Sequence, residues 1–419
     1  MMELATKKTY KNFYYFLLGQ QFSLLGSSLV FFVITWWITI ETNNPIILSM
    51  ASVLYFIPQI IFAPIAGVLS DRLNRKLIII GIDATQALVT FILFIIFWLN
   101  ITNIWVVLFV NTIRSVLQAF HVPTYHAIVP SMVPKNRLTR VNGLNSLSSS
   151  LIFLVGPILG GSLFELFQQQ IKPILLIDIF TFFIALIPIL FISIPSIKKT
   201  HLERENTSFF KDFKIGLMTL KTVPGLLSLI LLATLANFLI RPFTELLPFF
   251  IYNIHDGIAL ELAFVGSFIS IANILGGFIN SLKKNWNHKT IIIMSSTIGI
   301  FIGYSFLLFA PYRFFIIMGI GLFIQGISFS FIINNYMTIL QSSVTHDKVG
   351  RIVSIDHALT FAFMPLGSII SGILATIIGI YNLYLLFIIL GILMTILVWI
   401  FTDIYKLDHI GKIEEKMLA

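Results

Sequence analysis

Arg241 and Glu245 stand four positions apart inside the apolar stretch IRPFTELLPFF. At that interval a helix puts both on one face, where they can neutralise each other. Parted, they are a cationic docking point and a carboxylate able to take up a proton. Arg114, in LFVNTIRSVL, has no acid in reach along its own helix, and Asp83 and Asp178 are lone acids in Ile-rich runs. The connection GVLSDRLNRKLIIIGID crowds Asp71, Arg72, Arg75 and Lys76 between two long apolar segments. All of this is chemistry of charge and protons. Cysteine is absent, which excludes a disulfide framework, a CxxC redox site and a zinc knuckle. No G-x-x-x-x-G-K-[ST] or H-E-x-x-H occurs, so neither ATP hydrolysis within the chain nor zinc hydrolysis is expected, and no cofactor is.

The elements that must hold these charges follow from composition. Of 419 residues, 57% are hydrophobic and 11% charged, and the mean hydropathy is +0.96. No soluble domain hides that much apolar surface, so lipid must solvate most of the chain. With roughly 20 apolar residues needed per crossing, twelve spans are predicted: 14–40, 46–69, 77–99, 104–125, 141–166, 173–194, 225–252, 260–281, 290–309, 313–337, 352–379 and 381–404. The net charge of +9 does not point to nucleic acid, because Lys and Arg gather in the tails and in every second connection. The intervening loops hold only Lys172 and Arg313. The positive-inside rule then places both termini in the cytoplasm of a cell-membrane protein, with basic loops against anionic lipid. Span 1 follows Lys7, Lys8 and Lys11 like a signal peptide, but its apolar run is too long for one and is read as retained.

The longest connection, SIPSIKKTHLERENTSFFKDFKIGLMTLKT, divides six spans from six. The expected organisation is a bundle over 1–194, a central loop over 195–222, a second bundle over 223–404 and a tail over 405–419. GGFINSLKKNWNHKTIII repeats the layout of the 67–76 loop without its carboxylates. Asp83 and Asp178 lie at similar depths in spans entering from opposite faces, as in an inverted repeat, though two residues in Ile-rich sequence can also match by chance.

Twelve spans in two halves, with a D-R-x-x-R-K loop between spans 2 and 3, resemble the major facilitator superfamily. The segments SMASVLYFIPQIIFAPIAGVLSDRLNRK, IRSVLQAFHVPTYHAIVPSMVP, LTRVNGLNSLSSS, GPILGG and VGRIVS are similar to the macrolide-efflux group of its drug:proton antiporters. The resemblance implies an all-α membrane fold of two pseudo-symmetric six-helix bundles. It also implies that Gly67, Asp71, Arg72, Arg75 and Lys76 form a gate closing on span 11, where Arg351 and Asp356 lie. Arg114 is then linked to proton coupling, and Gly156, Pro157, Gly160 and Gly161 to the antiporter motif of span 5.

Elementary physics leaves alternatives beside each role. The 71–76 loop is a gate or a solvated basic loop, and Asp83, two turns beyond Lys76, is expected to tether the cations. Arg114 near the bilayer midplane costs at least about 2.5–3.5 kcal/mol unshielded, so it couples protons or anchors helices. The four span-5 residues also fit generic close packing. Pro242 and Pro248 are expected to bend or break span 7. Asp178 and Glu245 are the candidate proton carriers. Arg241, Glu245, Gln20, Gln325 and Asn334 are the candidate substrate contacts, while Gln21, Ser23, Ser27 and Asn335 line a cavity or bond between helices. His121 and His126 are read as interfacial, and His357 as a possible partner of the loop.

The function expected is proton-coupled export of an amphipathic small molecule by alternating access, with siderophore export as the alternative. A membrane enzyme fits less well, because the charges inside spans are scattered, and a passive channel because it would have no use for alternating-access motifs in both halves. The expected partners are a small-molecule substrate, protons and membrane lipid, with no nucleic acid, in a monomer.

Overall fold

The computed structural model describes residues 7–195, 218, 220, 222–283, 286–344 and 346–408. Among these, twelve helices are long and apolar enough to cross a membrane. They are α1 (Lys7–Thr42), α2 (Pro45–Arg72), α3 (Arg75–Trp98), α4 (Ile104–Met132), α5 (Leu138–Leu166), α6 (Lys172–Phe191), α7 (Leu226–Glu245), α9 (Ala259–Leu282), α10 (Lys289–Leu308), α11 (Phe315–Ser342), α12 (His346–Ile378) and α13 (Ile380–Phe401). The short α8 (Leu247–His255) follows α7.

Asparagines set the turns of the first four helices. Asn43 takes a left-handed φ of 44° after α1, and Asn44 then caps α2 by accepting the Ile46 amide at 2.9 Å, with Pro45 opening the helix. Asn74 and Asn103 cap α3 and α4 in the same way, at 3.0 and 2.9 Å. Span 7 does break where its prolines lie. Leu246, at φ −95° and ψ 6°, separates α7 from α8, and Pro248 has no N–H to offer the Thr244 carbonyl. The fourth helix runs seven residues beyond its expected end, to Met132, in spite of Pro123 and Pro130.

The chain divides into two compact units, Met1–Glu203 with Gly257–Ala263 and Arg204–Asp256 with Phe264–Ala419. In the first, α1 packs on α5 and α6, α2 on α4, and α3 on both α4 and α6. Phe13, Phe16, Ile79, Ile128, Met132 and Ile189 fill one end of it. In the second, α10 packs on α11 and α13, and α7 on α12 and α13. Leu229, Ile230, Ile293, Ile339 and Ile352 form part of its core. Outward faces carry Leu166, Phe180, Phe191 and Ile377, a surface suited to acyl chains rather than water.

Small residues decide where helices approach. A Cβ on Gly156 would come within 2.3 Å of the Ser28 hydroxyl, so α5 reaches α1 only because that Cβ is missing. Gly303 and Gly321 do the same for α10 and α11, where each would drive a Cβ to 2.5 or 2.4 Å from the other's carbonyl oxygen.

Candidate functional site

Arg114 and Asp178 find each other inside the first unit. Arg114 Nη2 donates to Asp178 Oδ2 at 2.9 Å, with the carboxylate side chain fully buried and the guanidinium 10% exposed. The partner the arginine needs thus comes from α6. Thr90 on α3 adds a hydrogen bond to the same oxygen at 3.3 Å. The other oxygen, Asp178 Oδ1, has no hydrogen-bond partner. It lies against Gly26 of α1, where a Cβ would sit 2.7 Å from it and 2.1 Å from Thr181 Oγ1.

Asp83 is not the tether of the cationic loop. It is fully buried and accepts a 2.9 Å hydrogen bond from Gln20 Nε2 on α1. Its Oδ1 faces His121 Nε2 at 3.5 Å, and that imidazole nitrogen lies 2.7 Å from Gln20 Oε1. Gln20 is therefore occupied by these two groups instead of lining an open surface. His121 is not interfacial, because α4 continues past it and turns it inward onto α1 and α3. His126 is exposed and meets Tyr125 edge-on.

The loop cations turn to helix ends instead. Arg75, 8% exposed, gives Nε to the Ser70 carbonyl at 3.1 Å and Nη1 to the Ala127 carbonyl at 2.7 Å. Lys76 Nζ donates to the Leu190 and Ile192 carbonyls at 3.1 and 2.7 Å. Ser70, Leu190 and Ile192 lie at the C-terminal ends of α2 and α6, where unpaired carbonyls and the helix dipole favour a cation, and Ala127 lies five residues before the end of α4. Carbonyls of three helices outcompete a carboxylate two turns away on α3. Arg72 is exposed, and a Cβ on Gly67 would meet nothing within 4 Å. The side chains of Asp71 and Arg351 lie outside the described residues.

In the second unit, Arg241 Nη1 lies 3.7 Å from Glu245 Oε1, on the last turn of α7 before the break. Ser368 of α12 donates to the same oxygen at 2.5 Å. Glu245 Oε2 is buried without a hydrogen-bond partner. Beside the pair, Phe243 stacks on Tyr304 at 4.0 Å and 7°, and the Tyr384 hydroxyl donates to the Pro242 carbonyl at 3.3 Å. Gly367 of α12 leaves room for the Arg241 stem, which a Cβ there would meet at 3.0 Å.

The remaining candidates are dispersed. Gln325 is buried where α11 crosses Gly303 of α10. Asn334 is exposed and lines a polar pocket with Asn280, Lys283, Trp286 and Asn335. Asp356 accepts from the Tyr336 hydroxyl within its own unit. Gly160 sits against Phe32 and Leu29 of α1, and Gly161 is buried on the same helix. Pro157 lies between Gly156 and Gly160 inside α5 without interrupting it.

The family model of the Major Facilitator Superfamily matches residues 16–356. The chain belongs to that superfamily. Macrolide efflux protein A of Streptococcus pyogenes is 29% identical over 95% of this chain and 97% of its own length. The Enterococcus faecalis protein of the same name is 28% identical over 78% of this chain and 99% of its own. Among solved structures, a bacterial homologue of the iron transporter ferroportin superposes with a TM-score of 0.70 at 13% identity, covering 93% of this chain and 98% of that one. This last likeness concerns the fold alone. The protein is a multi-pass membrane transporter of the superfamily.

Within this major facilitator protein, four contributors escape a reading of the sequence: Thr90, Ser368, Tyr336 and the inward-facing His121. One signal for the first and last was present. Asp83 and Thr90 are seven apart on α3, as are Arg114 and His121 on α4. An interval of two turns keeps each pair on one face.

Proposed function

We propose that this transporter is a secondary active exporter of macrolide-type amphipathic molecules, driven by proton antiport and working by alternating access between two six-helix halves. The full-length similarity to proteins named for macrolide efflux supports the cargo class. The coupling reading rests on Glu245. Its Oε2 is buried without a partner, so protonation there adds a donor where the membrane interior supplies none. Arg241 and Ser368 hold the other oxygen and can exchange partners when the charge disappears. One proton entering down 100 mV and one pH unit releases about 3.7 kcal/mol, which supports roughly a 500-fold gradient of a neutral cargo. A single titrating carboxylate is enough. Arg241 lies 3.7 Å from Glu245 and is largely masked, which weakens the case for an anionic cargo such as a siderophore.

Erythromycin accumulation in proteoliposomes under an imposed pH gradient tests this. Glu245→Gln should keep erythromycin exchange and lose gradient-driven accumulation, and Asp178→Asn is the competing candidate. Wild-type accumulation in both variants would sink the assignment. We place the protein in the cell membrane with both termini in the cytoplasm, on the distribution of its basic loops. The chain lacks cysteine, so a cysteine placed at Asn103 should react with an impermeant thiol reagent in intact cells, and one at Asn206 should not.

A further inference from the structure

The buried charges of the first unit form two layers, and three helices contribute to both. One layer holds Gln20 of α1, Asp83 of α3 and His121 of α4. The other holds Thr90 of α3, Arg114 of α4 and Asp178 of α6, with Gly26 of α1 against the carboxylate. Along α3 and α4 the layers are seven residues apart, about 10 Å at 1.5 Å per residue. The turn between them is not wholly apolar. Ser23 of α1 lies three residues from both Gln20 and Gly26, and Gln86 of α3 lies between Asp83 and Thr90. Both are buried, at 5% and 4% exposure.

The layers differ in the basic group that faces the acid. Arginine keeps its proton at every accessible pH, so in its layer only Asp178 can change charge. Histidine titrates near neutrality, so Asp83 and His121 can each take a proton. Gln20 suits that exchange. Its Oε1 only accepts, so in the arrangement seen His121 Nε2 carries hydrogen while Gln20 Nε2 serves the carboxylate. Turned over, the same amide would accept from a protonated Asp83 and donate to the imidazole, so Gln20 keeps both contacts in either state. Asp83 Oδ1 stays buried without a hydrogen-bond partner and is open to a proton.

We propose that Asp83 and His121, bridged by Gln20, form a second proton-binding site, in line with Asp178, so that the first unit holds two stations of one proton route. A proton bound at the first station makes one O–H or N–H bond. That bond breaks as the proton passes, by hops along a short chain of waters with Ser23 and Gln86 as polar partners, to the free Oδ1 of Asp178, each hop forming one O–H bond as the one before it breaks. The groups facing the first station are few. α4 adds Tyr125 and His126 beside His121, α5 offers Asn145, which binds Tyr125, and α2 brings Tyr55 to Arg114 in the other layer. Arg75 and Lys76, at the start of α3, are held by carbonyls.

The inference rests on proton antiport, so its test begins with a measurement that needs no transport. Histidine resonances of the purified, 13C-labelled protein are followed from pH 5 to 8, with His121 assigned by its loss in His121→Gln. Asp83→Asn should move the His121 titration by about one pH unit, as removal of a neighbouring charge does. An imidazole that titrates identically in Asp83→Asn, or that never titrates, overturns the site. In proteoliposomes, Gln86→Leu touches neither acid. It should cut pH-driven erythromycin accumulation about tenfold while sparing exchange at equal pH, and His121→Gln should move the pH of half-maximal transport. Unchanged accumulation and pH profile in both variants would overturn the route even if the site binds protons. A wild type blind to the pH gradient would remove proton antiport itself, a failure the resonance titration registers separately.

Discussion

Among the described residues each unit buries an arginine–carboxylate pair, and the two are built in opposite ways. In the first, Arg114 and Asp178 come from different helices 64 residues apart, so the pair exists only once α4 and α6 have packed. In the second, Arg241 and Glu245 lie one turn apart on α7, and the helix that carries them ends at Leu246. The first pair makes tertiary packing depend on charge. The second forms within one helix, with Ser368 of α12 added to its carboxylate. A bundle that must change charge without losing its shape gains from keeping these two arrangements separate.

Breaking the first pair should therefore cost the most. Arg114→Ala leaves Asp178 buried and unpaired, and should destabilise the detergent-purified protein by about 3–5 kcal/mol, read as loss of the monodisperse fraction and a lower Tm. Arg241→Ala should cost much less, since Ser368 still holds Glu245. Equal losses would erase the contrast. Next, Gly26→Val should separate α1 from α6, because a Cβ there already lies 2.1 Å from Thr181 Oγ1. A loss of about 1–3 kcal/mol is expected for such overpacking, measured in the same thermal assay. Arg75→Ala strips two carbonyls of their donor. It should slow erythromycin exchange in proteoliposomes about tenfold with affinity kept; collapse of affinity instead would make the loop part of the binding surface. Ser368→Ala removes one hydrogen bond from Glu245, and should shift the pH dependence of transport with a smaller fall in Tm than Arg114→Ala.

The smallest effect lies outside both pairs, at the end of α8. Burial holds the His255 imidazole below its usual range, and its Nδ1 accepts from the Arg313 amide at 3.2 Å. A histidine kept neutral in the fold binds fewer protons than the unfolded chain does. Stability is therefore lost as pH falls below about 6.5. His255→Gln should flatten the decline of Tm between pH 7 and 5. An unchanged slope would show that other groups set the acid limit.

The span count was legible because lipid imposes a length and a composition that little else can produce. So were the break in span 7, carried by two prolines, and Arg114's need for a partner. Which partner it takes was not legible, because six helices offer candidate faces and only packing selects α6. Asp83 shows the same limit more sharply. Its two-turn interval from Lys76 is real, but carbonyls of α2, α4 and the end of α6 hold the loop cations instead. Those carbonyls belong to the backbone and leave no mark in the residue types. The matching intervals on α3 and α4 acquired meaning only with the contact between those helices.

The reach of the Arg114–Asp178 pair bears on how the protein is made. At about 5–20 residues per second, a ribosome takes roughly 3–13 s to add the 64 residues that separate the arginine from its counter-ion. During that interval the fourth helix has emerged and the acid it needs has not yet been synthesised. Entering lipid alone would expose the guanidinium to the full insertion cost. The nascent fourth helix is therefore best kept beside the insertion machinery until the sixth arrives, with the two released into the bilayer together. Ribosomes stalled between these helices would be the place to catch it waiting.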